Sequence, residues 1–340
     1  MCFCLALYFV LLFLSCASAH PYGGLRSPRH NLDLFLHIRA AIPSPDVNLV
    51  GVVIVRIIVC LVVAVSRHLE YCPPKQTVYL PVLIADTPTH QKCTSLADKD
   101  YTKLINLRRY YLGNVPYGEA IFGCHTTGQI ALTFDDGPYE YTTELLDILK
   151  AGKAKATFFI TGSNLAKGPI DDESLPWANI IRRMYREGHQ IAAHSWTHPD
   201  LQSLSEIDRR NEMYRLELAL SNILGFVPAY MRPPYSSCDG SCLATMKALG
   251  YHVIYFDLDT DDYNHVLPDQ IYDSVAIATQ FIEAANPRTE SILSIAHDIH
   301  PLTVSNLTVA MLKVIKDNGF ETATVGECLG DGSSHWYRKV

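Results

Sequence analysis

The sequence predicts an α/β protein built on a parallel sheet, and three observations carry that expectation. Seven apolar, β-rich runs alternate with segments of helical spacing from about residue 120 onward. A glycine stands just beyond most of those helical segments, where a left-handed stop is expected. Polar residues cluster immediately after the strands. Alternation of this kind indicates parallel strands, and this many units favours a closed barrel over an open sheet.

The runs expected as strands are 129–134, 155–160, 189–193, 229–232, 251–256, 291–296 and 320–325. Between them the spacing predicts helices over 142–150, 177–187, 205–224, 243–249, 268–285 and 305–318. Gly152, Gly188, Gly225, Gly250 and Gly319 are the expected stops. Asp135-Asp136 follow the first strand, and His194 and His198 follow the third. Arg232 to Tyr235 follow the fourth, Asp259 to Tyr263 the fifth and His297-Asp298 the sixth. In a βα barrel the loops after the strands share one face, which carries the active site. Five clusters far apart in sequence therefore converge.

At 340 residues, 48% hydrophobic and 19% charged, the chain has material for a full core and too few charges for global disorder. A net charge of −7 removes the footprint of a nucleic-acid binder, so no nucleic-acid partner is expected. The average hides a split. Residues 1–119 hold 11 basic and 7 acidic side chains, whereas residues 120–340 hold 17 and 28.

Residues 1–19 carry no charge, Leu5 to Leu14 form an apolar run, and Ala17-Ser18-Ala19 has the small-x-small pattern of a signal-peptidase site. A secretory signal is expected there, with a buried or anchoring helix as the alternative. A second apolar run, 49–65, falls short of the ~20 residues of a membrane helix and holds Arg56 at its middle, so membrane association is doubtful. Residues 20–114 carry no assigned domain. Disorder, a membrane-associated 49–65 and a gene-model artefact such as translated intron all stand as readings, the last because Pro21-Tyr22-Gly23 recurs as Pro116-Tyr117-Gly118. Secretion permits disulfides among Cys72, Cys93, Cys124, Cys238, Cys242 and Cys328, and makes Asn306-Leu307-Thr308 a glycan acceptor candidate.

His194 and His198 stand four residues apart, a spacing at which both imidazoles reach one metal, although such pairs also occur as ordinary loop or capping residues. With Asp136 they supply two nitrogens and one oxygen, the ligand count of an open catalytic zinc site. Adjacent carboxylates such as Asp135-Asp136 are usually a solvated turn. Here Thr133-Phe134 lead out of a buried strand and Gly137-Pro138 bend the chain, aiming both carboxylates at the mouth. Asp135 is then placed to take a proton from water. Arg232 reads as the charge that keeps it ionised, or as a structural ion pair. His297 reads as a core histidine or, with Asp262 raising its pKa, as a general acid. Metal, base, acid and oxyanion site together describe hydrolysis of an amide or ester.

Thr133-Phe134-Asp135-Asp136-Gly137-Pro138, His194-Ser195-Trp196-Thr197-His198, Arg232-Pro233-Pro234-Tyr235, Asp259-Thr260-Asp261-Asp262-Tyr263 and Ile295-Ala296-His297 resemble, in order, the five motifs of polysaccharide deacetylases. This is carbohydrate esterase family 4, and the secreted fungal chitin deacetylases are the most similar group. The resemblance covers 115–338 and implies a distorted (β/α)7 barrel with a divalent metal, zinc before cobalt. It implies Asp136, His194 and His198 as metal ligands and Asp135 as general base steadied by Arg232. It further implies the Tyr235 N–H at the oxyanion and His297 as general acid tuned by Asp262. Tyr263, Ile295 and Pro234 are expected to line the substrate pocket, Tyr263 standing where the family often has Trp and Ile295 where Leu is frequent. Disulfides Cys124–Cys328 and Cys238–Cys242 resemble those of the family, while spacing alone leaves connectivity open.

The implied activity is removal of N-acetyl groups from N-acetylglucosamine in chitin or chitooligosaccharides, giving acetate and chitosan. The implied protein is a secreted monomer, extracellular or in the cell wall. An acetylxylan O-acetyl esterase and a non-catalytic carbohydrate-binding protein on the same barrel are the alternatives. Intact Asp135 and His297 argue against the second.

Overall fold

A computed structural model describes residues 101–340. The expected signal peptide at 1–19, the apolar run 49–65, Cys72 and Cys93 lie outside the described residues. Helix α1 (Thr102–Ile105) and strand β1 (Ala120–Ile121) precede the repeating units. The first expected strand is two segments, β2 (Gln129–Ala131) and β3 (Thr133–Asp135), interrupted at Leu132. There follow α2 (Thr142–Ala151), β4 (Thr157–Ile160), α3 (Trp177–Arg186) and β5 (Gln190–Ala193). Next come α4 (Glu206–Leu224), β6 (Phe226–Pro228), β7 (Tyr230–Met231) and α5 (Gly240–Ala248). The chain continues through β8 (His252–Ile254), β9 (Leu258–Asp259), α6 (Ile271–Ala284) and β10 (Ile292–His297). It ends with α7 (Thr308–Asp317), β11 (Glu321–Ala323), α8 (Val325–Cys328) and β12 (Tyr337–Lys339). The helix expected over 305–318 opens as a π-helical turn, Thr303–Leu307.

Parallel pairing runs β1-β8-β7-β5-β4-β3-β10-β2-β11. The ring closes through the chain itself. β8 continues through Tyr255–Asp257 into β9, which pairs with β10. Along this segment the neighbour changes from β1, where Tyr255 N–H donates to the Ile121 carbonyl, to β10, where Asp257 N–H donates to that of Leu293. The seventh expected strand departs from simple succession. β11 pairs only with β2, and β4 takes over the same edge along β3. Two strands therefore share one edge, and this is the distortion of the barrel.

Side-chain alternation sets what faces inward. Ala131, Phe159, Ala192, Tyr230, Ile254 and Leu293 form an inner cluster. Their neighbours Ile130, Phe158, Ile160, Ile191, Met231, Val253 and Ile292 join an outer cluster beneath the helices. Helix α3 shows the matching pattern, burying Trp177, Ala178, Ile181 and Met184 along one stripe. The helices ring the strands in sequence order, α2 on α3, α3 on α4 and α4 on α5, while α6 packs on α7 and α7 on α2.

One expectation is corrected here. Gly188, Gly225, Gly250 and Gly319 have positive φ, but Gly152 has φ −74° and Lys153 takes the left-handed position instead, at φ 54°. The α2 turn simply runs one residue further. Residues 101–114, outside the expected 115–338, also pack with the barrel. Leu104 is fully buried, and Arg109 grips the buried Glu217 through Nη1 and Nη2, each at 2.7 Å. Among the described residues no helix is long and apolar enough to cross a membrane.

Disulfides join Cys124 to Cys328 and Cys238 to Cys242. The first closes a separation of 204 residues and the second one of 4. Chain entropy alone then assigns about 5 kcal/mol to the long link and about 2 kcal/mol to the short one. The Cys124→Ser/Cys328→Ser variant should accordingly lower Tm well beyond the Cys238→Ser/Cys242→Ser variant in thermal melts. Equal losses would overturn this ranking.

Candidate active site

The inward parity that builds the core continues to the C-terminal end of each strand or just past it, where it turns largely polar. Thr133 and Asp135 follow Ala131, His194 follows Ala192, Arg232 follows Tyr230, and Ile295 and His297 follow Leu293. Cross-strand register then aligns them. His297 pairs with Asp135, and Asp135 with Phe159. His194 N–H continues the ladder to the Ile160 carbonyl and Arg232 N–H to that of Ala193. The result is a cleft of about 450 Å³ lined by Asp135, Asp136, His194, His198, Tyr263 and His297, among others.

Arg232 is fully buried beneath this cleft. Its Nη1 donates to Asp135 Oδ1 at 2.8 Å and to Thr133 Oγ1 at 2.6 Å, and its Nη2 donates to the Tyr255 carbonyl at 2.7 Å. Burial pushes the guanidinium below its ordinary pKa, against the pull of the Asp135 charge. Asp135 Oδ2 stands 3.8 Å from His194 Nε2.

Asp136, His194 and His198 bring one ligand atom each to within 4.8 Å of one another. His194 Nδ1 meets the Arg232 carbonyl at 2.7 Å, so it carries the proton and turns Nε2 toward Asp136 Oδ1, 3.6 Å away. His198 Nε2 lies 3.1 Å from the same oxygen. Burial lowers the His198 pKa to about 4, leaving a neutral ring with a free lone pair. Asp136 Oδ1 is buried without a hydrogen-bond partner, the condition of a ligand atom short of its cation. The donor set of two imidazoles and a carboxylate fits a divalent metal.

On the other wall, Asp262 spends both oxygens on His297. Oδ1 accepts from Nδ1 at 2.8 Å and Oδ2 from the backbone N–H at 2.7 Å, with Thr303 Oγ1 donating to Oδ2 as well. Burial disfavours the imidazolium, but Asp262, then Asp135 and Asp136, outweigh it and raise His297 to about 10. Burial also raises Asp262, yet His297 and Thr303 bring it to a net value below the ordinary one.

The family model for polysaccharide deacetylases matches residues 123–254. A chitin deacetylase of Colletotrichum lindemuthianum is 42% identical over 224 residues, spanning 66% of this chain and 88% of that protein. The chain belongs to the polysaccharide deacetylase family. A chitin deacetylase of Pestalotiopsis sp. is 43% identical over 66% of this chain and 72% of its own length. The solved structure of the Colletotrichum enzyme superposes with a TM-score of 0.63 at 41% identity, covering 66% of this chain and 97% of that one. Polysaccharide deacetylases are metal-dependent, and Asp136, His194 and His198 are the candidate metal site of this member.

Within this deacetylase cleft the expected pocket residues divide. Tyr263 and Ile295 line it, Tyr263 edge-on to His297 with ring centroids 5.5 Å apart. The expected Pro234 is corrected to Pro233. Pro234 is buried at the head of a 3-10 turn, Pro234–Ser236, while Pro233 faces the cleft. Tyr235 takes a left-handed conformation, φ 58°. Its N–H lies in the first turn, where a helix has no internal acceptor to offer.

Sequence reasoning missed Phe256 and His300, which also line the cleft, and Lys167 behind it. The Phe256 signal lay at the end of an expected strand, and that of His300 three residues past His297. Lys167 sits in a loop without regular spacing. Its buried Nζ donates to the Asp136 carbonyl at 3.1 Å and to Thr161 Oγ1 at 2.8 Å. Asp298, grouped with His297 from sequence but given no role, is buried and accepts from Thr142 Oγ1. Burial drives Asp298 upward and Lys167 downward, each toward its neutral form.

The raised His297 and lowered Asp262 set a pH window. Stabilisation from the His297 ion pair is complete below about 6.5 and is lost as pH rises through about 10. The Asp262 share is lost in acid, as pH falls through its depressed value. In chelator-treated protein the His297 resonance should remain that of imidazolium through neutral pH, and Asp262→Asn should bring its midpoint to about 6.5 or lower. An ordinary histidine midpoint in the parent protein would refute the coupling.

Proposed function

We propose that this chain hydrolyses the N-acetyl groups of N-acetylglucosamine units in chitin or its oligomers. One observation carries the reading: Asp135, held from behind by Arg232, and His297, held from behind by Asp262, meet the candidate metal trio in one small cleft. Similarity to two fungal chitin deacetylases supports the substrate class.

Asp136, His194 and His198 would hold the ion, zinc by preference and cobalt as the alternative. When bound, a divalent cation supplies Lewis-acid polarisation of the acetyl carbonyl and lowers the pKa of water toward about 7. Asp135, through the Oδ2 that Arg232 leaves free, takes a proton from the attacking water. The water oxygen bonds to the acetyl carbon, and the Tyr235 N–H donates to the negative oxygen that develops there. His297 has committed Nδ1 to Asp262, so its Nε2 passes a proton to the departing nitrogen as the C–N bond breaks. Acetate and a free amine leave. Tyr263 and Ile295 act as walls for the acetyl methyl, with Phe256 beside them.

The two disulfides favour an oxidising compartment, which supports an extracellular location with 1–19 as the secretory signal. The proposed catalytic domain is 115–338, extended back to residue 101 by the packing of Leu104 and Arg109.

Timed mass spectrometry of defined chitooligosaccharides should show stepwise loss of acetyl groups, stopped by chelator and restored by zinc. Acetate release from acetylated xylan but not from chitooligosaccharides would replace the substrate. Binding without release would reduce the protein to a carbohydrate binder. Asp135→Asn should cut acetate release by about 10³-fold or more with zinc still bound, and His297→Ala should cost about 10²- to 10⁴-fold. Full activity in either variant would remove that residue from its role.

A further inference from the structure

The loop carrying His198 is governed by a carboxylate that stands outside the cleft. Ser195 and His198 both have left-handed backbones, φ 64° and 60°, a conformation unfavourable for residues with a Cβ unless neighbours enforce it. Between them, the Trp196 and Thr197 N–H groups both donate to Glu212 Oε2, at 3.0 and 2.7 Å. Thr197 Oγ1 donates to Glu212 Oε1 at 3.0 Å. One side chain thereby clamps two consecutive residues, while Ser195 Oγ accepts the His198 N–H at 3.1 Å across the same turn.

The clamp stands on rigid ground. Glu212 lies in the second turn of α4, whose start is capped by Ser205 accepting from Asp208 N–H. Met213 and Leu216 of the same helix are fully buried. Three residues beyond Glu212, the Arg215 guanidinium lies 4.9 Å from the Trp196 ring centre. The indole in turn fills the space that Gly162 leaves, where a Cβ would come within 1.9 Å of it.

We propose that Glu212 is a positioning residue for the metal site: it holds the 195–197 turn in the conformation that aims His198 Nε2 at Asp136 and His194. This rests on the reading of Asp136, His194 and His198 as metal ligands. The carboxylate acts through its reach and its two acceptor oxygens, not through its charge. Groups that orient a ligand from behind typically contribute 10- to 100-fold to metal affinity.

Two near-isosteric variants separate reach from charge, with zinc affinity measured by chelator competition and Tm measured on metal-free protein. Glu212→Asp keeps the charge but withdraws the carboxylate by one methylene, and should weaken zinc binding about tenfold or more. Glu212→Gln removes the charge but keeps an amide oxygen for both N–H groups, while Thr197 Oγ1 turns to accept from the amide; its affinity should stay within about threefold of the parent. Metal-free Tm should stay near the parent value in both. Unchanged affinity in both variants would overturn the proposal, as would Gln weakening zinc more than Asp does. A loss of affinity matched by an equal collapse of metal-free Tm would make Glu212 merely structural and would overturn it too. If the parent protein binds no zinc, the metal-site reading itself fails and takes this inference with it.

Discussion

The ion pair between Arg232 and Asp135 is the constraint around which the barrel is organised. Both side chains are almost entirely without solvent, and either charge alone would be very costly there. Arg232 is tolerated because its guanidinium is answered on all sides. Asp135, Thr133 and the Ile254 and Tyr255 carbonyls take its N–H groups, and the Phe159 ring lies 4.2 Å from it. Those partners come from β3, β4 and β8 while Arg232 itself follows β7, so one side chain ties four parts of the ring together. Its own carbonyl, meanwhile, sets the tautomer of His194. Removing Arg232 would leave a buried carboxylate unpaired and loosen a proposed metal ligand at once.

The cleft also shows one residue type in three settings. His194 spends Nδ1 on a backbone carbonyl and keeps Nε2 for the metal trio. His198 is driven neutral by burial. His297 is buried as well, yet the Asp262 carboxylate outweighs burial and holds the ring charged. Ring nitrogens turned toward a metal and a charged acid across from them are what metal-assisted amide hydrolysis requires. The difference comes from what lies behind each ring, since their intrinsic chemistry is the same.

Much of this arrangement was legible in sequence, for a local reason. Apolar alternation marks which side of a strand faces inward, and the same parity places Asp135, His194, Arg232 and His297 at the mouth. Other features were out of reach of local pattern. Pro233 and Pro234 are chemically alike, and only the 3-10 turn decides which one faces the cleft. Residues 101–114 lack a periodic signal, so the buried contact of Arg109 with Glu217, 108 positions away, could not be anticipated. Lys167 and Glu212 act on the Asp136 and His198 turns through contacts 31 and 15 positions apart along the chain.

The sequence by itself determined the parallel α/β class, the order of the five polar clusters and that Asp135, Asp136, His194, His198 and His297 meet at the mouth. Periodicity and residue chemistry are local properties, and they survive without coordinates. Tertiary structure alone decided that β11 shares an edge with β4, which oxygen of Asp135 is free, which nitrogen of each histidine faces the cleft, and that Glu212 clamps the Trp196–Thr197 turn. Those outcomes depend on hydrogen-bond directions and on register between distant strands, quantities that exist only once the chain has closed on itself.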